Sequence, residues 1–424
     1  MRRLALLALL AATLGPSAGA QESPVAFVGA TVHPVSGPAI ADGAVVVHEG
    51  RITYVGPRAG APLDGARQQD ATGKTILPGI VDTHSHVGDG DGGDSSGPLQ
   101  PDVRILDALD PRADSFQKAR AGGITTVNVM PGSGHLMSGQ TAYLKLRRAN
   151  AIEGMLLCDD TEAGVCGGMK MANGTNSLRG RNGFPGTRAK SAALQRALFY
   201  EALAYRDKRA AGDTTRDLRL EPLLEILDGR RIVHWHTHRH DDVLTALRIA
   251  REFGFRPVLH HVSEGWRVAD EIAAAGAPAS IILLDSPGGK LEARGLYFRT
   301  GAALEAAGVL TAYHTDDPIV DSRFFLREAA LGVRAGLSRE AALKSLTLAG
   351  AEMLGLGDRV GSLEVGKDAD LIVLTGDPLS IYTHVEQTWV DGEKVYDYTD
   401  PEDRPYATGG YEVYRTSASA AHID

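Results

Sequence analysis

Residues 77–88 read LPGIVDTHSHVG, a short apolar run that ends in two histidines one residue apart, with Asp82 beside them. On a strand, residues i and i+2 point to the same side. His84 and His86 can therefore converge on one point at a strand's end. That convergence is what a metal ion needs, and two polar residues in a loop are the plain alternative. One such pair does not decide between them, so the rest of the chain must.

The middle of the chain alternates between apolar runs and amphipathic stretches. GGITTVNVMPG (122–132) reads as a buried strand entering a loop, and SAALQRALFYEALAYRDKRAAG (191–212) as a long helix. RIVHWHTHRHDD (231–242) is a strand, and VLTALRIAREFG a helix ended by Gly254. FRPVLHHVSEG (255–265) and WRVADEIAAAG repeat the pattern, followed by ASIILLDSPGG (279–289) and VLTAYHTDDP (309–318). Repeated strand–helix units of this length predict parallel βα units. Over about 270 residues they fit an α/β fold with a (β/α)8 TIM barrel, and an open doubly wound sheet is the alternative. No Gly-x-Gly-x-x-Gly opens the first unit, so a dinucleotide site is not supported.

Both chain ends read differently. Residues 25–56 and 360–397 are short β-formers punctuated by Gly and Pro, and VDGEKVY carries an Asp-Gly hairpin signal. The expected organisation is a leader at 1–20, a first part of a small β-sandwich at 21–75 and a catalytic barrel at 76–350. A second sandwich part at 351–410 and a loose tail at 411–424 complete it. Arg2 and Arg3, the run LALLALLAA and the Ala18-Gly19-Ala20 site read as a cleaved export signal. That places the protein in the periplasm or outside the cell, without a stable membrane anchor. The formal charge of -9 argues against nucleic acid as a partner. Cys158 and Cys166 are the only cysteines, and a local disulfide and two free thiols both stand as readings.

Polar residues collect where the apolar runs end. His84 and His86 follow the first; His236, His238 and His240 follow the fifth; His260 and His261 the sixth; His314, Asp316 and Asp317 the last. In a barrel these ends share the face on which active sites are built. A hydrolytic metal site wants neutral imidazoles, a carboxylate and an open position for water. Two metals close together need a bridging anion, since two cations in one pocket repel. A lysine carbamate is such an anion, and Lys170 in GGMKMANG is the candidate.

With these motifs in place, the sequence resembles the amidohydrolase superfamily, and within it the imidazolonepropionase-like and prolidase-like metal-dependent amidohydrolases. The resemblance covers residues 25 to about 397. It rests on LPGIVDTHSHVG, AGGITTVNVMPGSG, GMKMANG, VHWHTHRHDD, PVLHHVSEG, HTDDPIVDSRFF and GSLEVGKDADLIVLTGDP. It implies a barrel with a β-sandwich built from both chain ends, and a divalent metal, two ions in the fullest form; imidazole-rich ligation favours zinc, with manganese or cobalt as alternatives on the same groups. His84 and His86 would bind the more buried metal, a carboxylated Lys170 would bridge, and His236 and His261 would bind the second. Asp316 would contact the first metal and shuttle the proton. His238 would face the substrate, although either His236 or His238 fits as ligand. His261 is preferred to His260; the preference fails if Leu259 faces the helices and His260 faces in. Should Lys170 not bridge, the site would hold one metal.

The implied reaction is attack of metal-activated hydroxide on a carbonyl, cleaving an amide, cyclic amide or peptide-type C–N bond. A small peptide or N-acyl amino acid suits an exported enzyme, and a homo-oligomer is compatible. The alternatives are a lactone or ester hydrolase on the same site, or an exported metal- and ligand-binding protein without turnover. Among Arg179, Arg181, Arg188, Arg239, Lys290 and Arg294, one could pair with a substrate carboxylate. His135, after the second strand in PGSGHLMSGQ, could reach the pocket, and a flexible loop is the preferred reading.

Overall fold

The structure, a computed structural model, describes residues 23–90, 92–158, 164–178, 183–283 and 290–409. The leader, Arg179, Arg181 and the tail at 411–424 lie outside the described residues. The strands in chain order are β1 (Val25–Val32), β2 (Ile40–His48), β3 (Arg51–Pro57), β4 (Arg67–Asp70), β5 (Thr75–Pro78) and β6 (Ile80–Ser85). They continue with β7 (Ile124–Val129), β8 (Met137–Gln140), β9 (Ala142–Lys145), β10 (Met169–Ala172), β11 (Val233–Thr237) and β12 (Pro257–His261). The last are β13 (Ala279–Ile281), β14 (Thr311–Tyr313), β15 (Leu371–Leu374), β16 (Val385–Val390) and β17 (Glu393–Asp397).

Both chain ends share one sheet, ordered β17-β16-β15-β5-β1-β2-β3, with β4 paired to β1. The strands of both chain ends thus form one hydrogen-bonded ladder, which unites them as the expected small β-sandwich requires without dividing into two sheets. Antiparallel pairing of β15 with β5, Leu371 opposite Pro78 through Leu374 opposite Thr75, joins one chain end to the other. Asp391 and Gly392, at φ 50° and 74°, make the turn between β16 and β17 that Asp-Gly signalled.

The central body is α/β with its strands in two sheets, β14-β13-β12-β11-β10-β8 and β6-β7-β9. Pairing runs parallel from β10 to β14 and between β6 and β7. No ladder closes the ring among the described residues, which departs from the closed barrel expected. Two causes are visible. The stretch after β7 forms β8 and β9 in place of a βα unit, each antiparallel to its neighbour in a different sheet. At the other side β14 is only three residues long, and the chain turns left-handed at Asp316, φ 50°, before it could pair with β6. Single hydrogen bonds span that seam: Asp316 N–H donates to His84 O at 2.9 Å, and His86 N–H to Asp317 O at 3.2 Å.

Outer faces of the strands pack on helices. Trp235 stacks on Phe255, and Phe199 of the helix Arg188–Ala210 stacks on Phe253 and Phe255. The helix His240–Phe253 ends at Gly254, φ 75°, as its sequence signalled. Leu259 is buried in the same apolar cluster. The inner faces are left for polar residues. Cys158 and Cys166 are disulfide-bonded.

Candidate active site

Register decides which side chains meet. Lys170 lies opposite His234, Ala172 opposite His236, His236 opposite His260, and His260 opposite Ser280. In-register residues on parallel strands project to one side, so Lys170, His234, His236 and His260 line the inner face. Gly168 makes this possible. A Cβ there would come within 2.2 Å of the His234 ring.

Leu259 therefore faces the helices and His260 faces in, the condition under which His261 was expected to point away. Yet His261 also reaches the centre. Its φ is 69° and that of Val262 is 49°, so the strand's last residue leaves the β conformation and swings inward. The expectation about which of the two faces in is corrected: both do, for different reasons.

The centre is a cluster of buried imidazoles. His84 packs against the rings of His86, His260, His261 and His314 at 4.8–5.3 Å between centroids. His236 lies 4.3 Å from His261 and 4.7 Å from His238 by the same measure. One Asp316 oxygen stands 3.1 Å from His84 Nε2 and 3.0 Å from His86 Nε2. Lys170 Nζ is 2.9 Å from His84 Nε2, and no carboxylate lies within 4.0 Å of it among the described residues. Three groups bring ligand-type atoms within 4.8 Å of one another: His84, His260 and His314; His236, His238 and His261; His84, His261 and Asp316.

Outer contacts fix several rings. His86 Nδ1 meets Met130 O at 2.7 Å, His238 Nδ1 meets Ser263 Oγ at 2.8 Å, and His314 Nδ1 meets Ser280 Oγ at 2.7 Å. His234 bridges His260 Nε2 and the Tyr143 hydroxyl at 2.9 and 2.8 Å. In contrast, both ring nitrogens of His236 and of His261 are buried with no hydrogen-bond partner, as are His84 Nδ1, His260 Nδ1 and His314 Nε2. Buried polar atoms are almost always satisfied. Here, beside a carboxylate, the unsatisfied nitrogens fit a metal.

The electrostatics agree. Burial, the largest cause in each case, lowers the proton affinity of His84, His236, His238, His261 and His314. They stand as neutral imidazoles, the form that binds metals. Burial would raise Asp316, but His84 and His261, with hydrogen bonds from His84 and His86, hold its carboxyl well below the usual range. Burial brings the Lys170 amine down to about 7.

The sequence reading missed His234, and it placed His260 and His314 at strand ends without giving either a ligand role. Period-two spacing back from His236 marks His234, and His314 stands two residues before Asp316. His135, expected in a flexible loop, is buried. At the mouth Arg188 is held by Asp242 and Glu292, and Arg239 by Asp241. Asp317 takes Lys118 Nζ at 2.9 Å and the Ser322 N–H at 2.9 Å, which makes it a structural partner. Lys290 has no carboxylate within 4.0 Å among the described residues. Its charge is among those lowering Lys170, His236 and His238.

A family model described as "Amidohydrolase family" matches residues 201–396. The crystal structure of an amidohydrolase from Thermotoga maritima is 34% identical, covers 88% of this chain and 100% of its own, and superposes with a TM-score of 0.82. The chain belongs to the amidohydrolase superfamily. Amidohydrolase tasK of Hapsidospora irregularis is 30% identical over 408 residues, 86% of this chain but 41% of that longer protein. Imidazolonepropionase of Acidiphilium cryptum is 28% identical over 372 residues, 80% of this chain and 88% of that one. The enzyme class expected from the sequence, a hydrolase acting on carbon–nitrogen bonds, stands with this membership. So does the barrel-type α/β fold, and the metal dependence typical of such amidohydrolases suits the His and Asp groups.

Proposed function

We propose that this amidohydrolase is an exported, zinc-dependent hydrolase of small peptides or N-acyl amino acids. One observation carries the reading: a single Asp316 oxygen shared by His84 and His86 at 3.1 and 3.0 Å, beside a buried Lys170 that has no carboxylate partner among the described residues. His84, His86 and Asp316 would hold one metal. His236 and His261 would hold a second, with Lys170 joining the two as its carbamate. The two central sheets, of six and three strands, are then arcs of one (β/α)8-type barrel in which β8 and β9 share the place of a single barrel strand, and the end sheet would be the family's sandwich. Export is supported by the leader-like residues 2–20 and by the Cys158–Cys166 disulfide, which an oxidising compartment maintains.

Divalent metals bound there lower the pKa of water and polarise a carbonyl. The chain's own residues do the rest. Asp316, ionised and aimed at the centre, accepts the proton of the attacking water and returns it to the leaving nitrogen. His238, fixed by Ser263, faces the substrate from the second trio. Lys290, whose charge acts on Lys170, His236 and His238 and which meets no carboxylate among the described residues, pairs with the substrate carboxylate.

The test is metal content per chain, measured on wild type and Lys170→Ala supplied with zinc and bicarbonate, followed by a screen of dipeptides and N-acyl amino acids. The expected result is two metals in the wild type and one or none in the variant, with turnover on the panel. Turnover of lactones or esters alone would move the substrate class. Binding without turnover, unaffected by Asp316→Asn, would replace the enzyme with a binding protein.

A further inference from the structure

Asp82 opened the question of the HxH motif, and the chemistry above leaves it unused. It is fully buried on β6, two residues before His84. Its carboxylate accepts the Thr315 hydroxyl at 2.5 Å, the Thr315 N–H at 3.1 Å and the His84 N–H at 3.3 Å. The Thr315 oxygen accepts in turn the N–H of Asp317 at 3.0 Å. The two Asp82–Thr315 bonds lie across the seam between β6 and the end of β14, where no ladder runs among the described residues.

We propose that Asp82, acting through Thr315, is the positioning residue that holds His84 and Asp316 in register across this open seam. The reason is geometric. His84 and Asp316 come from opposite edges of the seam and must meet at one oxygen. In a continuous sheet the ladder would fix their relative height. Here a single backbone bond, Asp316 N–H to His84 O at 2.9 Å, ties the two residues, and the Asp82 carboxylate reinforces it by accepting the His84 N–H on one side and both polar groups of Thr315 on the other. Asp316, next in the chain, sits at φ 50°, a conformation a non-glycine residue keeps only when its neighbours over-determine it. The Thr315–Asp82 and Thr315–Asp317 bonds on its two sides supply that constraint. Asp82 touches no reacting atom in this scheme and acts by placing two residues that do. The inference rests on the proposed metal-dependent reading.

The experiment is a zinc competition titration against a chromogenic chelator, made on folded, metal-stripped protein. Asp82→Asn and Thr315→Val should each weaken zinc binding about 10- to 100-fold, the range seen when ligand-orienting partners are removed. Thr315→Ser, which keeps the hydroxyl, should return to within about threefold of wild type. Leu371→Ala, buried in the end sheet, serves as a variant destabilised without touching the seam. Equal zinc affinity in wild type, Asp82→Asn and Thr315→Val would overturn the proposal. So would an equal loss in Leu371→Ala, since that would make the effect general instability. If Asp82→Asn does not fold, the Thr315 pair decides alone. A wild type that binds zinc but hydrolyses nothing on the panel would sink the proposed reaction while leaving this comparison valid. No zinc binding by the wild type would sink both.

Discussion

Replacing Lys170 with methionine should make the metal-free protein more stable. Lys170 is fully buried, and its amine falls from the ordinary 10.5 to about 7, chiefly through loss of water. That fall corresponds to about 5 kcal/mol of unfavourable burial for the charged form. Below pH 7 both folded and unfolded lysine are protonated, and the full cost acts on the fold. Between about 7 and 10.5 the unfolded chain binds more protons, so stability of the lysine form rises with pH. The gain from Lys170→Met should therefore be about 5 kcal/mol at pH 6 and shrink to about 2 kcal/mol at pH 9. Methionine fills similar volume, and Met130 Sδ already lies against the Lys170 amine, so no cavity opens. Denaturant unfolding of both metal-stripped proteins at the two pH values measures this. A variant less stable than wild type, or a gain independent of pH, would refute the assignment of Lys170 as a desolvated cation. With metals supplied the order should invert, because the variant loses the bridging ligand. A residue that weakens the empty protein and strengthens the loaded one is held for function.

Other consequences can be checked as directly. Asp316→Asn should lower kcat by about 10²- to 10⁴-fold, with KM for the best panel substrate little changed, as expected for loss of proton transfer. Because carbamate formation needs the neutral amine, bicarbonate-dependent uptake of the second metal should rise with pH through about 7, read by elemental analysis of protein loaded at pH 6 and pH 8. Lys290→Met should cut kcat/KM on N-acyl amino acids about 10- to 100-fold while leaving the matching neutral amides unchanged, the scale of one charge-assisted contact. Lys145, fully buried on β9, contacts Asp368 at 2.7 Å, Asp370 at 3.1 Å and Asp391. Lys145→Met takes the cation from buried Asp370, while Asp368 keeps Arg51 and Arg359 and Asp391 keeps Arg147, and should cost about 3–5 kcal/mol in denaturant unfolding.

The helices and most strands were legible because their periodicity is strong and their ends carry Gly254, Gly276 and Asp391-Gly392. The HxH pair, Lys170, His236 and Asp316 could be named as candidates because strand ends in an α/β body share a face, and the structure brings these side chains together. What was not legible follows from long-range geometry. Nothing local says that β8 and β9 reverse, since each finds its partner in a different sheet. Nor does the pattern around Lys145 announce a buried cation, because its three aspartates lie more than 220 residues away in the chain. The disulfide was open for the same reason: Cα separation, 5.0 Å here, is a property of the fold.

The two histidines of LHHV show the limit most clearly. Strict alternation permits only one of them to face the site, and any reading by period two must choose. The fold does not choose, because β12 stops being a strand at His261. The same departure occurs at Asp316 after β14. Both left-handed residues lie where pairing ends, and both bring a ligand-type group to the cluster that a continued strand would have turned away or set at another height. Sheet closure and site assembly thus compete for the same residues. A ladder carried on through Asp316 to β6 would gain hydrogen bonds and lose the carboxylate that His84 and His86 share. The open seam is the outcome of that competition, and Asp82 with Thr315 stands where the missing ladder bonds would have been.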